Sequence, residues 1–428
     1  MTQSSEMTQS SDLPDAVPDR HRGTGREVTV ILVLSLTFGL VSFDRFVIAP
    51  LFPFISKDLH FNYTDLGLLV GALGIAWGFS APLAGWLSDK FGRRIVLVPA
   101  AIVFSLLSFT SGLAMTLAEF VLIRIIIGIS EGAFFAPSAG VVTQVSAPKR
   151  LGLTQGLYMT SFALFGSALA PVIATQLMEI VHNWRYVFFL TIIPGLILVP
   201  FLWHLIPEPP HLQGKARPTS ATRRHWRYVL RSRNLRVAVI CEICCEAFIL
   251  TLAVMLPSYF IRFLHYKPTD MGFVVSALGL GGVLGEFMVP WASDYLGRRF
   301  VAISAMIIPV LSISLFLIHP DASKPLLFAS LFISAFFPFG LLGFWGGTVA
   351  SEAVDATNTA LACGLVSGTA AIFGGGIAPY IVGRISDAYG IQTLFYLPMA
   401  ALVIGVVVAA LFLRETAPRA LARQRETV

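Results

Sequence analysis

Charge is scarce in this sequence: only 13% of its 428 residues are Asp, Glu, Lys or Arg, about half the share of an ordinary soluble domain. With 56% hydrophobic residues beside it, that scarcity excludes a water-soluble globule and leaves an integral membrane protein. Cysteine is scarce too. Cys241, Cys244, Cys245 and Cys363 all fall in apolar runs without supporting His or Asp, so they read as small apolar filler, and no metal or other cofactor is expected. No nucleotide-binding or Ser-His-Asp motif occurs, and none of the eight histidines sits beside another titratable residue deep in an apolar run. An enzyme is therefore not expected. A secretory leader is missing as well: the Ser-, Asp- and Pro-rich start reads as a disordered tail.

Long apolar runs fill the rest. Twelve are long enough to span about 30 Å of hydrocarbon, among them 28–50, 94–115, 117–143, 152–178, 236–262 and 391–413. The formal charge of +6 follows membrane topology and gives no reason to expect a nucleic acid partner. On one side of the twelve runs lie 22 Lys and Arg, against six on the other. The positive-inside rule makes the richer side cytoplasmic, with both termini, and the lipid bilayer of a cell (inner) membrane is the expected setting. Between the sixth and seventh runs a Pro- and Arg-rich connection divides the chain. The expected organisation is a tail 1–27, a six-helix half 28–206, a cytoplasmic linker 207–235, a second six-helix half 236–413 and a tail 414–428. A monomer is expected.

The halves are copies. A shift of 205 residues places Thr64-Asp65 on Thr269-Asp270, Gly74 on Gly279, Ser88-Asp89 on Ser293-Asp294 and Gly92-Arg93-Arg94 on Gly297-Arg298-Arg299, with 13 identities in 31 positions. Two parallel six-helix repeats are a known transporter plan. The loop Gly85-Trp-Leu-Ser-Asp89-Lys90-Phe-Gly92-Arg93-Arg94 resembles the signature between helices two and three of the major facilitator superfamily. The resemblance extends over almost the whole chain and implies an all-α integral membrane fold of twelve transmembrane helices. Asp89, Arg93 and Arg94, with their copies Asp294, Arg298 and Arg299, are the candidate gating residues, a charge lock that holds one conformation and opens in the other. Pro290 replaces the counterpart of Gly85, so the second lock is expected to be weaker. A third look-alike, Gly383-Arg-Ile-Ser-Asp387-Ala-Tyr-Gly390, falls on the opposite side and reads as a helix-ending turn.

Within the apolar runs, charge is concentrated at Asp44-Arg45 and at Arg124 and Glu131. A charge at mid-bilayer costs at least about 2.5 to 3.5 kcal/mol, so it normally faces a polar pathway or a partner. Arg124 and Glu131 are almost two turns apart and share a face. Adjacent Asp44 and Arg45 point about 100° apart and need different jobs. This set resembles the anion:cation symporter family, which takes up organic anions with protons. That resemblance implies that Arg45 contacts the substrate's anionic group and that Asp44 and Glu131 take part in proton coupling. By depth, Asp44, about six residues from its run's periplasmic end, shares a layer with Arg124, and Glu131 lies deeper. We therefore expect Asp44 to pair with Arg124, Glu131 to carry the proton, and Arg45, Arg124 and Tyr158 to meet the substrate; a static network joining helices one and four is the alternative.

Other buried charges carry weaker expectations. Glu242 and Glu246 are expected to be satisfied by Arg233 and Arg236, while Glu286 is either a second proton site or a lock partner. Phe336, Phe337, Phe339, Phe344 and Trp345 either wall the cavity or pack. Asn and Gln are nearly missing from the runs, whereas a polyhydroxylated acid needs many buried hydrogen-bond partners. The expected substrate is a small organic anion with few hydroxyls: an aromatic acid, a lactone acid or a short organic or sulfonated acid. Proton-driven export of amphipathic compounds, or transport of a sugar acid or lipid, is the alternative.

Overall fold

The computed structural model describes residues 24–147, 150–207, 231–319, 323–355 and 359–416. The expected tails and linker lie mostly outside the described residues. Among those described, twelve helices are long and apolar enough to cross a membrane: α1 (Gly25–Leu59), α2 (Tyr63–Phe91), α3 (Arg93–Ser111), α4 (Leu117–Val145), α5 (Leu153–Val181), α6 (Trp184–Leu205), α7 (Arg233–Arg262), α8 (Pro268–Leu296), α9 (Arg298–Ile318), α10 (Lys324–Glu352), α11 (Leu361–Tyr389) and α12 (Ile391–Phe412).

Number and order agree with the apolar runs, but the lengths do not. The first run ends at Pro50, yet α1 continues through Pro50 and Pro53 to Leu59. Proline removes one backbone bond, a loss that neighbouring helices make tolerable inside a membrane protein. Similarly, α7 begins at Arg233. These extensions bring Asp44 and Arg45 near the middle of α1 and Glu246 to the middle of α7, as Glu131 is in the middle of α4. Asp44 keeps the layer expected for it, that of Arg124, whose Nη1 stands 4.0 Å from its Oδ2.

Polar residues fix the ends. At the start of α2, Asn62 Oδ1 accepts from the Asp65 N–H at 2.9 Å, and Asp65 Oδ2 accepts from the Asn62 N–H at 2.9 Å; Thr116 and Glu119 repeat this reciprocal cap on α4. Helices α2, α8 and α11 end alike, on Gly92, Gly297 and Gly390 with φ of 114°, 99° and 97°, a conformation that glycine adopts without a side-chain penalty. The turn expected at Gly390 is therefore present.

Helices α1–α6 and α7–α12 pack as two bundles that meet along a seam of α2 on α11, α5 on α8 and α1 on α7. Close approach requires small residues there: a Cβ on Gly67 would stand 2.5 Å from the Pro379 carbonyl oxygen, and one on Gly71 2.6 Å from that of Gly376. Three segments form wider i→i+5 turns, Ala163–Leu169 in α5, Phe344–Val349 in α10 and Ala371–Ile377 in α11. Such turns recur at functional sites.

Candidate substrate and proton site

The charged residues of the first half form two clusters. One lies inside the bundle, where Arg124 Nη1 donates to the Asp44 carbonyl oxygen at 3.2 Å and stands 4.0 Å from Asp44 Oδ2. Its guanidinium is held 5.5 Å and 5.8 Å from the rings of Phe120 and Phe188, within cation–π range. Asp44 Oδ1 takes a hydrogen bond from the Ser108 hydroxyl, which in turn bonds Thr191 Oγ1 at 2.6 Å. Asp44 lines a cavity of about 220 Å³ between α1, α3, α5 and α6, on the far side of α1 from the seam. The expected Asp44–Arg124 pairing is thus present.

The second cluster sits at the seam. The Arg45 guanidinium lies 5.8 Å from the Trp77 ring and 5.9 Å from the Phe162 ring, and its Nε and Nη2 are buried without a hydrogen-bond partner among the described residues. Two carboxylates are within electrostatic reach, Glu131 from α4 and Glu246 from α7. Glu131 is wholly buried, and neither of its oxygens has a hydrogen-bond partner among the described residues. Trp77 and Phe162 continue into a wall of rings: Phe135 is 5.1 Å from Trp77, and Phe38 stacks on Tyr158 at 4.7 Å and on Phe162 at 5.7 Å. Tyr158 therefore backs the wall, its hydroxyl 2.5 Å from Ser138 Oγ and inside the bundle. A crevice of about 700 Å³ between α2, α4 and α11 is almost wholly apolar and does not reach these residues.

Sequence reasoning misplaced Glu242 and Glu246. Arg233 donates to the carbonyls of Phe412 and Leu411 at 2.8 Å and 3.0 Å, capping the end of α12 as basic residues commonly do, and Arg236 is exposed. Neither reaches the glutamates. Glu242 instead accepts from Ser367 Oγ of α11 at 3.0 Å. Phe344 and Trp345 of α10 are fully buried and stack edge-on at 4.8 Å, and the Phe336 ring lies against Phe332 and Phe337 of its own helix, so these rings pack. Glu286 keeps a buried Oε2 without a partner. Trp77 and Phe162 were missed because nothing in an apolar run separates a ring facing a cation from one facing a neighbour.

The gating residues divide unevenly. Arg298 pairs with Asp294 at 2.6 Å and Glu352 at 2.8 Å, and Glu415 caps the start of α9 through the N–H groups of Arg298 and Arg299 at 2.9 Å and 3.0 Å. Asp89 is exposed with no ion pair among the described residues, whereas Arg94 Nε donates to the Ile206 carbonyl at 2.7 Å and Arg93 lies against Gly140. In the second copy, expected to be weaker at Pro290, Asp294 is ion-paired with Arg298. Asp387 does more than end a helix. Its carboxylate accepts from the Tyr63 and Thr64 N–H groups at 2.9 Å and 2.7 Å and from the Thr64 hydroxyl at 2.5 Å, tying α11 to the start of α2 across the seam. At the same end, Arg262 Nη2 donates to Ser56 Oγ at 2.6 Å.

Paired six-helix bundles, a duplicated charge motif and charges at mid-helix define a secondary transporter, and comparison with known proteins agrees. The chain belongs to the Major Facilitator Superfamily, whose family model matches residues 34–365 and 238–427. It is a multi-pass membrane transporter. Among curated relatives it is 28% identical over 192 residues to the hexuronate transporter of Bacillus subtilis, spanning 45% of this chain and 45% of that relative. It is 28% identical over 296 residues to a probable 4-methylmuconolactone transporter of Cupriavidus pinatubonensis, covering 64% and 67%, and 23% identical over 386 residues to the quinolone resistance protein NorA of Staphylococcus aureus, covering 88% and 95%. The fold is similar to that of a bacterial homologue of the lysosomal transporter Spinster in an inward-facing, occupied conformation, with a TM-score of 0.74, 17% identity and coverage of 91% and 96%.

Proposed function

We propose that this protein takes up a small organic carboxylate together with protons, with Arg45 as the anion contact. The observation that carries the reading is the state of Arg45: a guanidinium at the seam, buried between two rings, whose Nε and Nη2 no group among the described residues satisfies. A carboxylate is the natural complement, since charge-assisted hydrogen bonds to guanidinium are short and strong. Glu131 supplies the coupling. Removing a carboxylate from water penalises its charged form, so Glu131 is suited to hold a proton while Arg45 binds substrate and to pair with Arg45 when substrate leaves. Asp44 and Arg124 hold α1 to α4, and Asp44 can join the proton path when that pair opens.

The rings of Trp77 and Phe162 support an aromatic or lactone acid over a hexonate, and a relative named for a methylmuconolactone is in keeping with that choice. Positive charge flanking the linker supports cytoplasmic termini in a cell membrane. A second reading, proton-driven export of amphipathic compounds, is favoured by the three mid-helix carboxylates of the second half, Glu242, Glu246 and Glu286. Proteoliposomes loaded with the purified protein separate the two. Uptake of benzoate, 4-methylmuconolactone or glucuronate that rises with an inward proton gradient supports the first reading, with lactone competing more strongly than glucuronate. Extrusion of a fluorescent amphipathic cation, without uptake of any acid, would replace it with the second.

A further inference from the structure

We propose that Glu246 is a second proton-binding residue, one that competes with Glu131 for Arg45 across the seam. The inference rests on the reading of Arg45 as the anion contact. Glu246 occupies the middle of α7, faces Arg45 of α1, and has no hydrogen bond or ion pair within 4.0 Å among the described residues. Its surroundings are built to leave it room. In the widened turn of α11, a Cβ on Gly375 would stand 2.8 Å from Glu246 Oε1, and one on Gly374 3.0 Å from Glu246 Cβ. The widened turn of α10 does the same for Glu242, where a Cβ on Gly346 would lie 3.0 Å from Oε1 and 3.1 Å from Oε2. Two irregular turns on two helices thus place backbone without side chains against two carboxylates one turn apart.

The other ionisable groups near the pair are few. Arg45 is the cation that faces it from α1; Cys363 of α11 and Cys245 of α7 lie near Glu242, with Cys241 and Cys244 one face round. Helix α12 carries no charged residue, and Glu286 of α8 makes no hydrogen bond or ion pair with either glutamate. One guanidinium cannot serve Glu131, Glu246 and a substrate carboxylate together, because each uncompensated buried charge is costly. Substrate binding at Arg45 therefore needs both glutamates protonated. When substrate leaves, wholly buried Glu131 gives up its proton and pairs with Arg45, while Glu246, only half-buried, releases its proton to water entering the site. A monoanion then enters with two protons, one on each half, and the cycle moves net positive charge inward.

Infrared difference spectra of the purified full-length protein in lipid, taken between acidic and alkaline buffer, read buried carboxylic acids without any substrate. E131Q and E246Q are each expected to remove one carbonyl band of a protonated acid, and the double variant both. A wild-type spectrum from E246Q overturns the inference. Should E246Q not purify folded, E246D is expected to shift the band, and an unshifted band overturns it equally. In proteoliposomes, E246Q is expected to keep counterflow and to lower the proton-to-substrate ratio, read from the reversal potential with whichever of the three acids is transported, by about one. An unchanged ratio in E246Q, with wild-type uptake intact, sinks the Glu246 role alone; wild-type protein that takes up no acid under a proton gradient sinks the reading of function as well.

Discussion

The two halves share a scaffold and differ in chemistry. Thirteen of 31 residues repeat between 64–94 and 269–299, and both copies end a helix on a glycine of the same conformation. Their mid-helix charges are unlike. The first half holds Asp44, Arg45, Arg124 and Glu131; the second holds Glu242, Glu246 and Glu286 and no cation at that depth. Duplication preserved what packs helices and turns chains. Cation and anion sites, which need a single set of donors, stayed on one half. Anion recognition therefore belongs to the first half in our reading, and the second contributes acids that can neutralise or release the same arginine.

Removing Arg45 should break this comparison most sharply. Arg45→Ala is expected to weaken binding of the transported acid by about 100-fold, since a charge-assisted hydrogen bond to a buried group is worth about 1.5–3 kcal/mol and 1.4 kcal/mol is tenfold. Arg124→Ala should act on stability first, because Arg124 serves Asp44 between Phe120 and Phe188. Calorimetry and thermal unfolding on both variants check this. If Arg45→Ala binds like wild type and Arg124→Ala does not, the substrate role passes to the inner cluster.

Glu131→Gln should leave binding and remove coupling. The expected outcome is normal counterflow with no accumulation against a gradient, because the amide keeps the shape and cannot change charge. Continued accumulation would return Glu131 to a structural role.

Much of this was legible from residue order. Apolar runs gave twelve helices, the shifted repeat gave two bundles, and one face of α4 gave Arg124 and Glu131. The length of α1 was hidden because Pro50 and Pro53 look like terminators in water and are not in a membrane protein. Glu246 was hidden for a related reason: nearby arginines offered a cheap partner in sequence, whereas Arg233 caps the end of α12 and Arg236 is exposed. Asp387 was read as local because a helix-ending turn is complete without a partner, while its actual partners are 323 and 324 residues away.

That long-range tie sets the next effect in size. Asp387→Asn keeps one acceptor and loses the negative charge at the start of α2, an interaction worth about 0.5–2 kcal/mol. The population with that end parted should rise by up to about 30-fold, read as a longer distance between spin labels on α2 and α11. Asp387→Ala should exceed it. Unchanged distances in both variants would reduce Asp387 to its turn.

The smallest effect separates the two copies of the lock. Asp294 is 56% exposed in its pair with Arg298, and exposed pairs are worth about 0–1 kcal/mol. In Asp294→Asn, Arg298 retains Glu352 at 2.8 Å, so the loss is partial and a fall in Tm of about 2 °C or less is expected. Asp89→Asn should change Tm less still in the conformation described, because Asp89 has no ion pair there among the described residues. Its effect should surface on the other conformation, as altered cysteine accessibility at the linker end. If Asp89→Asn lowers Tm more than Asp294→Asn does, the first copy carries the lock in this conformation too, and the asymmetry between the halves is confined to their mid-helix charges.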